Sequence, residues 1–200
     1  LLKGSPFRYN KAALLLIPED LPPPNSDQYV DAMVKVLTDL GTSLHGHTMA
    51  LFTSYASLRA VAQRLRTPLM SQGIQVLAQS IDGSAQQLMI RFAEEPNSVL
   101  LGVASFWEGV DLPSGVLKSL VLARLPFAVP TDPIVKARSE QYDNPFSEFS
   151  VPQAVLRFRQ GFGRLIRNKS DKGTIVIMDN RITAKSYGNS FLKSIPPCTL

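Results

Sequence analysis

A single cysteine, Cys198, stands among the 200 residues. The chain can therefore close no internal disulfide, and it can supply neither a multi-cysteine metal site nor the ligands of an iron–sulfur cluster. A reducing, cytoplasmic setting is expected. Long apolar runs are missing too: nothing approaches the roughly 18–20 residues that cross a bilayer, and no secretory pattern opens the chain, so no membrane is expected as a partner. No Gly-x-x-x-x-Gly-Lys-Ser/Thr loop occurs anywhere, which excludes a self-contained phosphate-loop enzyme. No Gly-x-Gly-x-x-Gly follows the first apolar run, which removes the dinucleotide fingerprint. Acidic side chains are absent from residues 150–169, although five Lys and Arg stand there.

What is present is the composition of a folded domain, with 44% hydrophobic and 18% charged residues. One domain is expected over residues 1–200, with an irregular lead-in over 1–11 and a tail over 195–200. Leu1 in place of Met suggests a piece cut from something longer. The net charge is +5. Residues 1–100 carry 8 basic and 8 acidic side chains, and residues 101–200 carry 13 and 8. The whole excess thus sits in the second half, and it equals what residues 150–169 supply. A basic balance is weak evidence for nucleic acid, but its concentration in one segment points to an anion site.

Short apolar runs alternate with stretches of helical period. Strands are expected at 12–17, 48–52, 74–78, 98–103, 120–123 and 173–178. Helices are expected from Ser26 or Asp27 to a stop at Gly41, then after Thr53-Ser54-Tyr55, and at 84–93, 134–142 and 185–192. Leu21-Pro22-Pro23-Pro24 is a stiff connector. The alternation calls for an α/β fold, a mostly parallel sheet with helices on both faces. In such sheets ligands gather beyond the carboxyl ends of the strands. That rule groups the loops after Phe52, Val103 and Leu122.

The densest signal is Val151 to Arg167, expected to be one helix. At 3.6 residues per turn Arg157, Gln160, Arg164 and Arg167 share a face, with Val155, Phe158, Phe162, Leu165 and Ile166 mostly opposite. Each guanidinium offers a planar fork of donors to phosphate oxygens. Gly161 and Gly163 each cost roughly 1 kcal/mol of helix stability relative to Ala, so a surface without side chains is wanted there. A second signal follows the fourth strand, Ser105-Phe106-Trp107-Glu108-Gly109-Val110-Asp111-Leu112-Pro113. Its carboxylates can accept from ribose hydroxyls, orient a water or hold a facing arginine. Trp107 and Phe106 serve equally well as core plugs. Thr53-Ser54 caps a helix and leaves backbone N–H groups where a phosphate could sit.

Together these stretches resemble the second RecA-like motor domain of superfamily 2 ATP-dependent DNA helicases of the DinG/XPD type. Residues 105–113 look like that family's motif V, residues 160–167 like motif VI, and Leu51-Phe52-Thr53-Ser54-Tyr55 with Leu58 like motif IV. Ser5-Pro6-Phe7, Leu125-Pro126-Phe127 and Pro130-Thr131-Asp132-Pro133 also match the bacterial DinG branch. Ser114, between Pro113 and Gly115, and Arg8 depart from the pattern. The resemblance implies a DNA-repair helicase of the bacterial cytoplasm, associated with the nucleoid. It implies Arg164 and Arg167 as arginine fingers on an ATP γ-phosphate, with Gln160 positioning phosphate or water. By the same likeness Glu108, Gly109, Asp111 and Gly163 face the nucleotide, and Ser54, Tyr55, Ser80 and Ser105 contact single-stranded DNA. Mg²⁺ is expected to be held mainly by the first RecA-like domain of the same polypeptide, which carries the phosphate loop that this chain lacks. The alternative is a non-catalytic nucleic-acid-binding α/β module that uses the basic helix alone.

Overall fold

Six strands are present among the described residues: β1 Ala13–Leu16, β2 Thr48–Leu51, β3 Gln75–Ala78, β4 Ser98–Gly102, β5 Ser119–Leu122 and β6 Gly173–Ile177. They form one sheet in the order β1-β6-β5-β2-β4-β3, and every neighbouring pair is parallel. All strands therefore start at one end of the sheet and finish at the other, termed here the amino and carboxyl ends. The computed structural model describes residues 9–24, 26–103, 106, 112–166, 168 and 171–199.

β2, β4 and β5 are buried at every position, as continuous apolar runs in a sheet covered on both faces must be. The edge strand β1 alternates, with Ala13 and Leu15 buried and Leu14 and Leu16 exposed. One face is covered by α2 (Asp27–Leu44) and α3 (Tyr55–Met70), whose Tyr29, Met33, Leu37, Leu58, Val61 and Leu65 pack on Ala50, Val99, Val121 and Val176. The other is covered by α4 (Ala85–Glu94), α6 (Val151–Phe162) and α8 (Gly188–Ser194), through Leu88, Phe92, Phe158, Phe162 and Phe191. Shorter helices are α1 Tyr9–Ala12, α5 Pro133–Ser139 and α7 Arg181–Ala184, and a π-helical turn, Phe146–Ser150, runs into α6. Phe158 and Phe162 are essentially dry. Each such side chain contributes about 1.5–3 kcal/mol of transfer free energy.

Several boundaries differ from the sequence expectation. The lead-in is not wholly irregular, because Tyr9 buries its ring against Phe162 at a centroid distance of 5.8 Å and starts α1. Gly41 does not end α2. It lies buried inside the helix, and a Cβ there would sit 3.1 Å from Leu69 and from Val99, so the missing side chain permits close packing. The helix stops at Leu44, with His45 in the left-handed region at φ 51°. Gly46, at φ +87°, needs its conformation and its bareness, since a Cβ would meet the Ser98 nitrogen at 2.3 Å. The helix expected over 185–192 begins only at Gly188, as α8, and a separate short helix, α7, precedes it; Gly188 comes close to the Ile182 carbonyl, where a Cβ would collide. Among the described residues no helix is long and apolar enough to cross a membrane.

Candidate functional site

The basic segment folds differently from its sequence period. α6 ends at Phe162, and the chain then tightens. Arg164 N–H donates to the Gly161 carbonyl at 3.2 Å and Leu165 N–H to the Phe162 carbonyl at 3.3 Å, both spaced three residues apart. The pitch of about three residues per turn leaves Leu165 and Ile166 in the core, each 2% exposed. It also takes Arg164 out of the face expected with Arg157 and Gln160. Gln160 is exposed on the last turn of α6, but Arg164 is only 8% exposed. Burial lowers the Arg164 guanidinium from its ordinary value, although an arginine keeps its charge. Arg167 lies outside the described residues.

Gly163 is exposed, at φ −64°. A Cβ there would touch nothing nearer than the Arg159 carbonyl at 3.4 Å, an ordinary contact. Neither the backbone nor any neighbour within the described residues requires a glycine at this position.

Residues 163–172 lead straight into Gly173, the first residue of β6. A Cβ on Gly173 would meet Leu165 Cδ1 at 2.6 Å and the Lys118 carbonyl at 2.7 Å. Arg164 therefore belongs to the amino end of the sheet, beside the starts of β5 and β6, and not to the carboxyl end where ligands usually gather. Asp171, buried in the same turn, accepts from the Ser114 hydroxyl and from Asn168 N–H. Ser114, one of the two departures from the family pattern, thus ties the end of the second signal to the turn after α6. Glu108, Gly109, Asp111, Ser105 and Trp107 lie outside the described residues. Their flanks do not: Phe106 is fully buried on Gly102, and Leu112 is 5% exposed. The stretch from Val103 to Ser119 leaves the carboxyl end of β4 and arrives at the amino end of β5, and so connects the two ends of the sheet.

The carboxyl end carries the other candidates. Ser54 is exposed and caps α3, its hydroxyl accepting from Ser57 N–H at 3.2 Å. Tyr55, 42% exposed, follows it. Ser80 is exposed after β3, in the left-handed region at φ 64°. The strands are four or five residues long, so at about 3.3 Å per residue the two ends are separated by roughly 13–17 Å.

Two groups escaped sequence reasoning. Gln79, 6% exposed, accepts from Val103 N–H at 2.8 Å and donates to the Tyr55 hydroxyl at 3.3 Å. Asp179, 1% exposed, accepts from Leu125 N–H at 2.9 Å and from the Arg181 guanidinium at 2.6 Å. Each is a polar residue directly behind a buried apolar strand, and that position was the available signal. Among the described residues no three His, Cys, Asp or Glu side chains gather as a metal site.

Comparison with known proteins follows the same lines. The sequence model of the family described as "Helicase C-terminal domain" matches residues 37–198. The chain is 36% identical over 196 residues to the ATP-dependent DNA helicase YoaA of Haemophilus influenzae, covering 96% of this chain and 30% of that protein. It is 38% identical over 200 residues to the 3'-5' exonuclease DinG of Bacillus subtilis, covering 96% and 22%. Among solved structures, an XPD helicase superposes with a TM-score of 0.71 at 21% identity, over 91% of this chain and 34% of that one. The C-terminal domain of the DEAD-box protein Dbp5 gives 0.55 at 17% identity, over 94% and 89%. The last two likenesses concern the fold. The chain spans about a third or less of the length of these curated relatives.

Proposed function

Because this chain belongs to the family of helicase C-terminal domains, we propose that it is the second motor domain of an ATP-dependent DNA helicase of the DinG/XPD type. It acts in the bacterial cytoplasm at the nucleoid, in DNA repair, together with the first RecA-like domain of its own polypeptide. ATP sits between the two domains, with Mg²⁺ held mainly by the first. Single-stranded DNA runs over the carboxyl end of the sheet, across Ser54, Tyr55 and Ser80, and Ser105 is a further contact.

The observation that carries this reading is the pair Gly163 and Arg164. An exposed glycine that no neighbour among the described residues requires stands beside a guanidinium withdrawn from water. Phosphoryl transfer is mostly positioning and stabilisation of oxygens that gain charge. Closure of the cleft on ATP draws Arg164, with Arg167, toward the γ-phosphate. An anion there meets a guanidinium that is already largely shielded from water. Gly163 lets the turn approach the phosphates, Gln160 positions phosphate or water, and Glu108, Gly109 and Asp111 face the nucleotide. The stretch from Val103 to Ser119 joins the DNA end to the nucleotide end, so that opening after hydrolysis shifts the grip on the strand.

The test is ATP hydrolysis by the polypeptide carrying both motor domains, with and without single-stranded DNA. Arg164→Ala is expected to abolish DNA-stimulated turnover and largely spare DNA binding, and the 200-residue chain alone is expected to hydrolyse no ATP. Wild-type turnover by Arg164→Ala would refute the assignment.

A further inference from the structure

Gln79 fixes which way the hydroxyl of Tyr55 can donate. Its side chain is buried at the carboxyl ends of β3 and β4, and its own backbone N–H is held by the Leu101 carbonyl at 3.0 Å. A backbone N–H can only donate, so the group that meets Val103 N–H at 2.8 Å must be the amide oxygen. That contact settles the orientation of the amide and turns its NH₂ toward Tyr55. An NH₂ group can only donate, so the Tyr55 oxygen, at 3.3 Å, must accept. A phenol has one proton. With its inner side occupied by a donor, that proton points away from Gln79, on a side chain that is 42% exposed. A strand end with a hydroxyl held as an outward donor suits an acceptor that carries no proton of its own at neutral pH, such as a phosphodiester oxygen.

We infer that Gln79 is a positioning residue that holds the Tyr55 hydroxyl as an outward hydrogen-bond donor to a backbone phosphate of single-stranded DNA. The inference rests on the motor-domain reading and extends it to a residue that touches no DNA itself. It also places Tyr55 two hydrogen bonds, through Gln79, from Val103, where the stretch leading to the nucleotide end begins.

The test is a double-mutant cycle in the polypeptide carrying both motor domains, read by fluorescence anisotropy of a fluorescein-labelled oligothymidylate. Tyr55→Phe keeps the ring and removes the donor. One charge-assisted hydrogen bond corresponds to a loss of about ten-fold in affinity. Gln79→Glu keeps the shape and the acceptor for Val103 N–H, but its carboxylate accepts from the tyrosine and turns the proton inward. It is expected to lose about as much as Tyr55→Phe, and the double variant no more than either. An equal loss from Gln79→Glu in both Tyr55 backgrounds would show a general effect of charge or packing and overturn the inference.

Should circular dichroism show that the buried carboxylate unfolds the domain, Gln79→Met serves in its place. It removes the inner donor, and affinity is expected to fall several-fold with Tyr55 present and not at all with Tyr55→Phe. Equal falls again overturn the inference. Wild-type binding with Tyr55→Phe indifferent overturns this inference alone. A wild-type protein that does not bind the oligonucleotide overturns the motor reading as well.

Discussion

Arg181 grips Asp179 two residues behind it. Nη2 lies 2.6 Å from one carboxylate oxygen, Nε lies 2.9 Å from the other, and the Arg181 N–H donates to the same carboxylate at 3.1 Å. The two partners are unequally wet: the Asp179 side chain is fully shielded, and Arg181 is 35% exposed. Arg181 also lies over the Phe127 ring at 5.6 Å, and Asp179 receives Leu125 N–H. This ion pair thereby fixes the chain leaving β5 against the chain leaving β6.

The asymmetry sets the order of two substitutions. Arg181→Met strands a buried carboxylate and is expected to cost about 3–5 kcal/mol. Asp179→Asn keeps an oxygen for Leu125 and frees an arginine that can reach water, so about 1–3 kcal/mol is expected. Urea unfolding of the two variants checks the order. A larger loss from Asp179→Asn would contradict the account of which partner is stranded.

Two glycines near Arg164 separate function from stability. Gly163→Ala adds a Cβ at ordinary contact distance with a normal φ. Its unfolding midpoint is expected to move little, while DNA-stimulated ATP turnover of the two-domain polypeptide falls about ten-fold or more, because a side chain now stands where the phosphates approach. Gly173→Ala drives its Cβ to 2.7 Å from the Lys118 carbonyl, a backbone atom that yields poorly. There the loss is one of stability, about 1–3 kcal/mol. Calorimetry and turnover measured on both proteins distinguish the two cases.

Arg164→Lys keeps the charge and discards the fork. A finger that works by its planar geometry is not replaced by an ammonium, so turnover is expected to stay at least about 10³-fold down. Recovery close to wild type in a single-turnover assay would mean that Arg164 acts only as a point charge.

Tyr29 predicts an alkaline limit. Its hydroxyl, on α2, lies between the carbonyls of Ala123 and Met178, at the ends of β5 and β6, 2.9 Å from the latter. Burial, the largest cause, raises its pKa well above the ordinary value, with Asp179 raising it further and Arg124 and Arg181 opposing. The native state keeps the proton, whereas the unfolded chain releases it above about pH 10. The unfolded state then binds fewer protons. The stability from this group is whole below that pH and falls by up to about 1.4 kcal/mol per pH unit as the pH rises toward the native value. Tyr29→Phe is expected to be less stable at neutral pH by about 1–2 kcal/mol and to show a shallower decline. Urea midpoints of both proteins between about pH 9 and 11 give the difference.

Sequence alone determined the alternation of strands and helices and the parallel sheet covered on both faces. Runs such as Leu120-Val121-Leu122 and the 3.6-residue spacing of Tyr29, Met33 and Leu37 are properties of neighbours along the chain. It also determined the residue types at the candidate site, which are enough to show the family. Only the tertiary structure decided that α6 stops at Phe162 and that Leu165 seats against Gly173 at the start of β6, because that packing is set by side-chain contacts across a turn and not by a local period. In that turn Arg164 is 8% exposed and lies at the amino end of the sheet, away from Tyr55 and Ser80. The Gln79–Tyr55 and Asp179–Leu125 bonds were beyond sequence reading for the same reason. The partners stand 24 and 54 residues apart, and no local period records which polar group will meet which strand end.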